Sequence, residues 1–238
     1  MAIDLALLQR AARTGECWLR LYTWRPHCLS FGRNEPARRR YDRARIERAG
    51  LSVVRRPTGG RAVWHARELT YAVAAPVQAM GSLQDAYLEI HRMLGAALRR
   101  LGAEASVAGA SPSSGLDAGA CFARPVGGEL LVNGRKVVGS AQLREGGALL
   151  QHGSILLGDD QLVVGSVTRG CSPSDGSTPL GDLLGREVTA DEAASAVTDA
   201  ARERWGDAWS GAPEPPALLT EAEAHLARFR SEQWTWSR

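Results

Sequence analysis

Residues 119–157 read GACFARPVGGELLVNGRKVVGSAQLREGGALLQHGSILL. Asn133-Gly134 is a hairpin turn signal between two apolar runs, so Glu129–Val132 and Arg135–Gln142 are expected as paired strands. Glu145-Gly146-Gly147 turns the chain again into a third strand, Ala148–Leu157. Gly139, Ser140 and Ala141 are small, and small residues on a strand let another chain or an extended ligand approach the backbone. Lys136 is the only lysine in the chain; Lys and Arg together number 29, so the other 28 cations are arginine. Surface charge is served by either residue. A single retained lysine points to a task for a compact ammonium with rotatable donors that can give up a proton. The competing reading is a solvated lysine beside a turn.

Outward from that stretch, Ala2–Arg13 carries one apolar helical face, and Cys17–Trp24 and Cys28–Phe31 read as strands interrupted by Pro26. Tyr41–Ala49 is a helix closed by Gly50, and Leu51–Arg55 a strand. Arg55-Arg56-Pro57-Thr58-Gly59-Gly60-Arg61 follows. Its adjacent glycines either make a plain turn or let a ligand lie against the backbone; spacing excludes a P-loop. Ala62–Trp64 and Glu68–Ala75 are strands, Leu83–Leu101 the longest helix, and Ser106–Ala118 a mobile loop of small residues. Pro179–Leu184, Ala190–Trp205 and Leu219–Phe229 are helical, the last leading to Trp234 and Trp236. Short strands mixed with helices in no strict alternation give an α+β class, with a mixed, largely antiparallel sheet flanked by helices, in a single domain over 1–238.

A chain of 238 residues with 44% hydrophobic and 23% charged residues is an ordinary globular composition. Net charge is only +3, and no aromatic–basic repeat argues for nucleic acid. Arg38-Arg39-Arg40, with Arg43 and Arg45, reads as a solvated loop and helix face, or as a contact for an acidic partner. No apolar run is long enough to span a membrane. The start reads as a helix rather than a signal peptide. Cys17, Cys28, Cys121 and Cys171 show no CxxC spacing, which suits free thiols in a reducing cytosol. Cys17 and Cys28 read as core thiols. Cys121, among small residues and near Lys136 in sequence, is the best nucleophile candidate, since a neighbouring ammonium favours the thiolate. His65 and His152 lie nearest the glycine-rich strands; a lone histidine is more often structural, and no ligand spacing implies a metal.

RRPTGGRAVWHARELTYAV, then GRKVVGSAQ and LLQHGSILL, resembles the lipoate–protein ligase and octanoyltransferase family. MAIDLALL is similar to its N-terminal helix, and LRLYTWRPHCLSFGRNE to its first strands. The resemblance implies the catalytic-domain fold shared with biotin–protein ligase. It also implies attachment of lipoic or octanoic acid to an acceptor lysine. ATP-using ligases of the family usually have a third glycine and an aspartate after the histidine; here Arg61 replaces the glycine, and Ala66-Arg67-Glu68 follows His65. That pattern resembles the cysteine-dependent octanoyltransferases, which carry a nucleophile in an ACF segment, as Ala120-Cys121-Phe122 does here. Val126-Gly127-Gly128-Glu129 departs from their usual Ser-x-Tyr-Glu.

The resemblance thus implies Cys121 and Lys136 as catalytic residues. Substrate-binding residues would be Arg56, Thr58, Gly59, Gly60, Arg61, His65, Gly139, Ser140 and His152. The donor would be octanoyl-acyl carrier protein, and the acceptor a lipoyl domain or the glycine cleavage H protein. No cofactor or metal is required, and the setting is cytoplasmic. The rival readings are an ATP-dependent lipoate ligase, a non-catalytic binding protein on the same fold, and transfer between two carrier domains.

Overall fold

The computed structural model describes residues 1–108, 129–158, 161–170, 178–211 and 215–238. The strands are β1 (Trp18–Tyr22), β2 (Cys28–Phe31), β3 (Ser52–Arg55), β4 (Val63–His65), β5 (Glu68–Pro76), β6 (Ala105–Val107), β7 (Leu130–Val132), β8 (Arg135–Lys136), β9 (Val138–Glu145) and β10 (Ala148–Leu156). The helices are α1 (Ala2–Thr14), α2 (Ala37–Arg40), α3 (Arg43–Arg48), α4 (Val77–Met80), α5 (Leu83–Arg100), α6 (Leu162–Val167), α7 (Leu180–Leu184), α8 (Ala190–Trp205), α9 (Pro216–Arg230) and α10 (Glu232–Thr235). None of the described helices is long and apolar enough to cross a membrane.

Three sheets carry the strands. The largest is antiparallel, in the order β1-β5-β10-β9. A second, β3-β2-β4, pairs β2 with β3 in parallel and with β4 antiparallel; a third runs β6-β7-β8. The α+β class and the largely antiparallel, mixed pairing are as expected. The continuity of Arg135–Gln142 is not. Lys136 pairs with Leu131 in the third sheet, whereas Val138 pairs with Ile155 in the first. The chain changes sheets at Val137, whose carbonyl accepts from Leu156 N–H at 3.1 Å.

Strand alternation sorts the first sheet into two faces. Leu69, Tyr71, Val73 and Ile155 pack with Ile90, Met93, Leu94 and Val197 beneath α5 and α8. Ala72, Ala74, Ala148 and Leu150 pack on Leu5, Leu8 and Ala11 of α1 and on Leu218 and Phe229 of α9. Each fully buried leucine there contributes about 1.5–3 kcal/mol of transfer free energy. α1 stops because Gly15 takes the left-handed conformation, φ 77°. α5 starts from a capping box, Ser82 with Asp85. Past Leu150 towards the C-terminal end of β10, the α1-side face turns polar: Thr70, His152 and Ser154 are buried there.

Cys28 is a buried thiol, as expected, and burial pushes its pKa up to about 12. Two further expectations change. Cys17 is exposed, because β1 begins only at Trp18 and the cysteine stands in the link after α1. Ser106 lies in β6 rather than in a loop. Residues 109–128, with Cys121, and 171–177, with Cys171, lie outside the described residues.

Candidate active site

The polar end of the α1-side face adjoins the second sheet, and a narrow cavity lies between them. It is lined by Arg56, Gly60, Val63, His65, Thr70, Gly139, Ser140, Ala141, His152, Gly153 and Ser154, with Met1. Six of the nine residues expected to bind substrate, Arg56, Gly60, His65, Gly139, Ser140 and His152, therefore meet around one volume, from segments more than ninety positions apart in the chain. A larger cavity, about 1130 Å³, lies among Thr23–His27, Ala66–Glu68, Leu157–Gly158 and the 181–190 segment, and none of those six lines it. The narrow cavity is the better candidate on chemistry, not size.

The narrow cavity's histidines are both engaged through both ring nitrogens. Asp4, fully buried on α1, meets His152 Nδ1 at 3.0 Å, and His152 Nε2 meets Thr58 Oγ1 at 2.6 Å. Arg20 Nη1 and Tyr22 Oη, both from β1, donate to the same carboxylate at 3.1 Å each. Burial alone would raise the Asp4 pKa. The chain's amino terminus, His152 and Arg20 outweigh it and hold the carboxyl well below the usual carboxylate range. Burial lowers the pKa of His152, and Asp4 offsets part of that. A neutral imidazole beside an ionised carboxylate carries its proton on Nδ1, so Nε2 accepts and Thr58 donates.

His65 repeats the arrangement. Its Nδ1 meets Glu68 Oε1 at 2.7 Å, and its Nε2 meets Ser30 Oγ at 2.6 Å. Thr70 and Ser154 hydroxyls donate to Glu68 Oε1 at 2.5 and 2.9 Å. Trp24 stacks on the imidazole, with centroids 4.4 Å apart, and donates its indole N–H to Thr70 at 2.9 Å.

Arg56 fastens the glycine loop. Its guanidinium donates to the carbonyls of Gly59 at 3.2 Å and Arg61 at 2.6 Å, and to the Ser30 carbonyl at 3.0 Å and hydroxyl. The loop also presses on Gly32: a Cβ there would stand 1.8 Å from the Gly60 carbonyl oxygen. On the opposite wall, a Cβ on Gly153 would stand 2.2 Å from the Gly139 carbonyl oxygen. Small residues at both places are a steric requirement.

Ser140 points to the other face of the sheet. Its hydroxyl meets Tyr71 Oη at 2.6 Å and His91 Nε2 at 2.8 Å, and Gln151 donates to Tyr71 at 3.0 Å. Burial pushes the Tyr71 phenol up to about 12, against the hydrogen bonds from Gln151 and Ser140. Only the backbone of Ser140 is left to the cavity.

Lys136 is 5% exposed and forms an ion pair with Glu129, itself buried. The solvated-lysine reading therefore does not describe it. It stands three residues before Gly139, across the change of sheets, and does not line the narrow cavity. Gly59 and Arg61 are partly exposed and outside the lining, and Thr58 reaches it through His152. Among the described residues no cluster of His, Cys, Asp or Glu could hold a metal.

Asp4, Glu68, Ser30, Ser154 and Trp24 were not singled out from sequence. Asp4 had a signal: an acid on the buried face of a helix, between Ala2 and Leu5–Leu8, is costly unless partnered. Glu68 and Ser154 sit in strand alternation that reads equally well as solvent-facing.

A family model described as the lipoyl protein ligase A/B catalytic domain matches residues 1–202. Curated relatives named octanoyltransferase LipM include that of Kyrpidia tusciae, 36% identical over 99% of this chain and 93% of that protein. That of an Exiguobacterium species is 37% identical over 100% and 93%. That of Carboxydothermus hydrogenoformans is 46% identical over 66% of this chain, a match spanning 60% of that protein. Among solved structures, lipoate-protein ligase A bound with ATP superposes with a TM-score of 0.83 at 20% identity, covering 99% of this chain and 92% of that one. The bi-partite lipoate protein ligase of Thermoplasma acidophilum gives 0.76 at 19%, over 99% and 91%. The structures carry the fold and the sequence matches carry the kinship: the chain belongs to the lipoyl protein ligase A/B catalytic domain family.

Proposed function

We propose that the chain, as one domain over residues 1–238, transfers an octanoyl group to a protein lysine through a thioester on Cys121. The donor is octanoyl-acyl carrier protein, and the acceptor is the lysine of a lipoyl domain or of the glycine cleavage H protein. Curated relatives that match over at least 99% of the chain are named octanoyltransferases, and the chain is an acyltransferase.

The observation that supports the substrate is the cavity itself. Gly60, Gly139, Ala141 and Gly153 keep it narrow, while the polar atoms of His65, His152 and Thr70 are turned into their own hydrogen bonds. What remains for a ligand is backbone and the apolar sides of rings, which suits an extended alkyl chain.

The Cys121 sulfur attacks the thioester carbonyl, the bond to the carrier thiol breaks, and that thiol leaves with the cysteine's proton. The neutral acceptor amine then attacks the new thioester. An amide C–N bond forms, and Cys121 is released as its thiol with a proton from the amine. Two thioesters and then an amide run downhill, so the balance needs no nucleotide. Lys136 is the donor proposed for the acyl oxygen.

Incubation with octanoyl-carrier protein alone is expected to add roughly 126 Da to the peptide holding Cys121, octanoyl replacing the thiol hydrogen, in a hydroxylamine-labile bond. Turnover without that adduct would remove the thioester. Acceptor modification by ATP with free lipoate, surviving Cys121→Ala, would establish the ligase reading instead.

A further inference from the structure

We propose that Asp4 and His152 are a positioning pair for Thr58, and that the direction of the His152–Thr58 hydrogen bond sets the seat of the glycine loop against the acyl slot. The inference rests on the slot being the acyl site.

The loop is held from two sides by different means. Outside, the Arg56 guanidinium grips the Gly59 and Arg61 carbonyls, and Arg33 N–H reaches the Thr58 carbonyl at 2.7 Å. Inside, the Thr58 hydroxyl meets His152 Nε2 at 2.6 Å. That nitrogen can accept only while the ring proton stays on Nδ1, and Asp4 at 3.0 Å holds it there. Asp4 cannot turn away, because Arg20 and Tyr22 donate to its two oxygens. Four segments remote in sequence, α1, β1, β10 and the loop after β3, thus fix one hydroxyl. Protonating His152 on Nε2 would abolish the acceptor, so the loop's inner anchor carries a pH dependence of its own. The charged and titratable groups facing the ring are Asp4 and the amino terminus from the α1 end, Arg20 and Tyr22 of β1 behind Asp4, and Arg56 after β3.

The first measurement needs no turnover. In the protein labelled with ¹⁵N, His152 is expected as the neutral Nδ1–H tautomer at pH 7. The Gly59 and Gly60 amide shifts are expected to titrate with it as pH falls. An Nε2–H tautomer, a charged ring at pH 7, or glycine amides indifferent to the His152 titration would each overturn the proposal. The second measurement is kinetic. Thr58→Val is expected to raise KM for the octanoyl thioester about tenfold while kcat moves less, and Thr58→Ser is expected to recover most of that loss. Asp4→Asn is expected to shift the acid limb of kcat/KM to lower pH, because the carboxylate that raises the His152 pKa is gone. Folded Thr58→Val with unchanged KM, or an unmoved acid limb in Asp4→Asn, would sink it. Should Thr58→Val not fold, the tautomer and the glycine shifts still decide. A wild-type protein that turns over no octanoyl thioester would instead fail the acyl-transfer reading and leave the relay to be judged by the spectra.

Discussion

His152 and His65 make the same chain of contacts, carboxylate to Nδ1 and hydroxyl to Nε2, in the walls of one cavity. They differ in what stands at each end. Both Asp4 oxygens have donors. Glu68 takes three donors on Oε1, while its buried Oε2 has no hydrogen-bond partner among the described residues. At the other end, Ser30 belongs to β2, held by backbone pairing on both sides and by Arg56. Thr58 belongs to a loop. The His65 chain therefore joins parts already fixed by strand pairing, and the His152 chain adds an inner anchor to a loop that Arg56 and Arg33 hold from outside. One motif serves as joinery in the first case and as alignment in the second, and only the ends reveal which.

The Lys136–Glu129 pair lies outside both chains and sets the scale for separating activity from stability. Lys136→Arg keeps the charge but puts a wider, planar group into a buried site. Overpacking of this kind costs about 1–3 kcal/mol, and loss of the donor proposed for the acyl oxygen is expected to lower turnover by about 10²–10³. A melt and a transfer rate on one preparation check both numbers. Near-wild-type turnover would take Lys136 out of the site.

The next effect is on stability and falls on the joinery. Glu68→Ala strands the donors of His65, Thr70 and Ser154, and at about 1–3 kcal/mol for a buried unpaired group the sum is expected to exceed 3 kcal/mol. Urea unfolding measures it. A loss below about 1 kcal/mol would leave the comparison without its first half.

A smaller effect, at His152, depends on pH. The folded-state pKa of His152 lies below its ordinary 6.5. The stability it contributes is therefore complete above that value and is lost as pH falls through the folded one. Asp4 acts in the same direction at lower pH, below its ordinary 3.8. His152→Gln is expected to flatten the stability profile on the acid side of pH 6.5. A profile as steep as wild type there would assign the slope to other groups.

The smallest effect is at Trp24. Trp24→Phe keeps a ring on His65 and removes the N–H to Thr70, for a loss of about 1 kcal/mol, the worth of one neutral hydrogen bond. A loss of several kcal/mol would show that the stacked ring, more than the hydrogen-bond chain, holds His65.

The strands and the two glycine turns were legible because turn chemistry and alternation are local. The break at Val137 was not: apolar residues run through it, and where the sheets part is decided by pairing with β7 across the local turn on one side and with β10 on the other. His65 and His152 were found by their proximity to the glycines. Their acids were not: Asp4 is 148 positions from His152, and Glu68, though three from His65, sits in strand alternation that reads equally well as solvent-facing. Cys17 was misplaced because a strand pattern marks alternation and not where the strand begins. Ser140 was placed at the slot by its neighbours, and strand parity turns its side chain to Tyr71 and His91.

The contact between Gly32 and the Gly60 carbonyl bears on how this enzyme can be redesigned. In a library of variants selected for altered acyl groups, position 32 is a fixed column: any side chain there displaces the loop instead of reshaping the slot. Gly153 is fixed for the same reason on the opposite wall. The diversity worth sampling lies at Val63 and Ala141, which line the same slot and bear side chains that can be exchanged for larger or smaller ones.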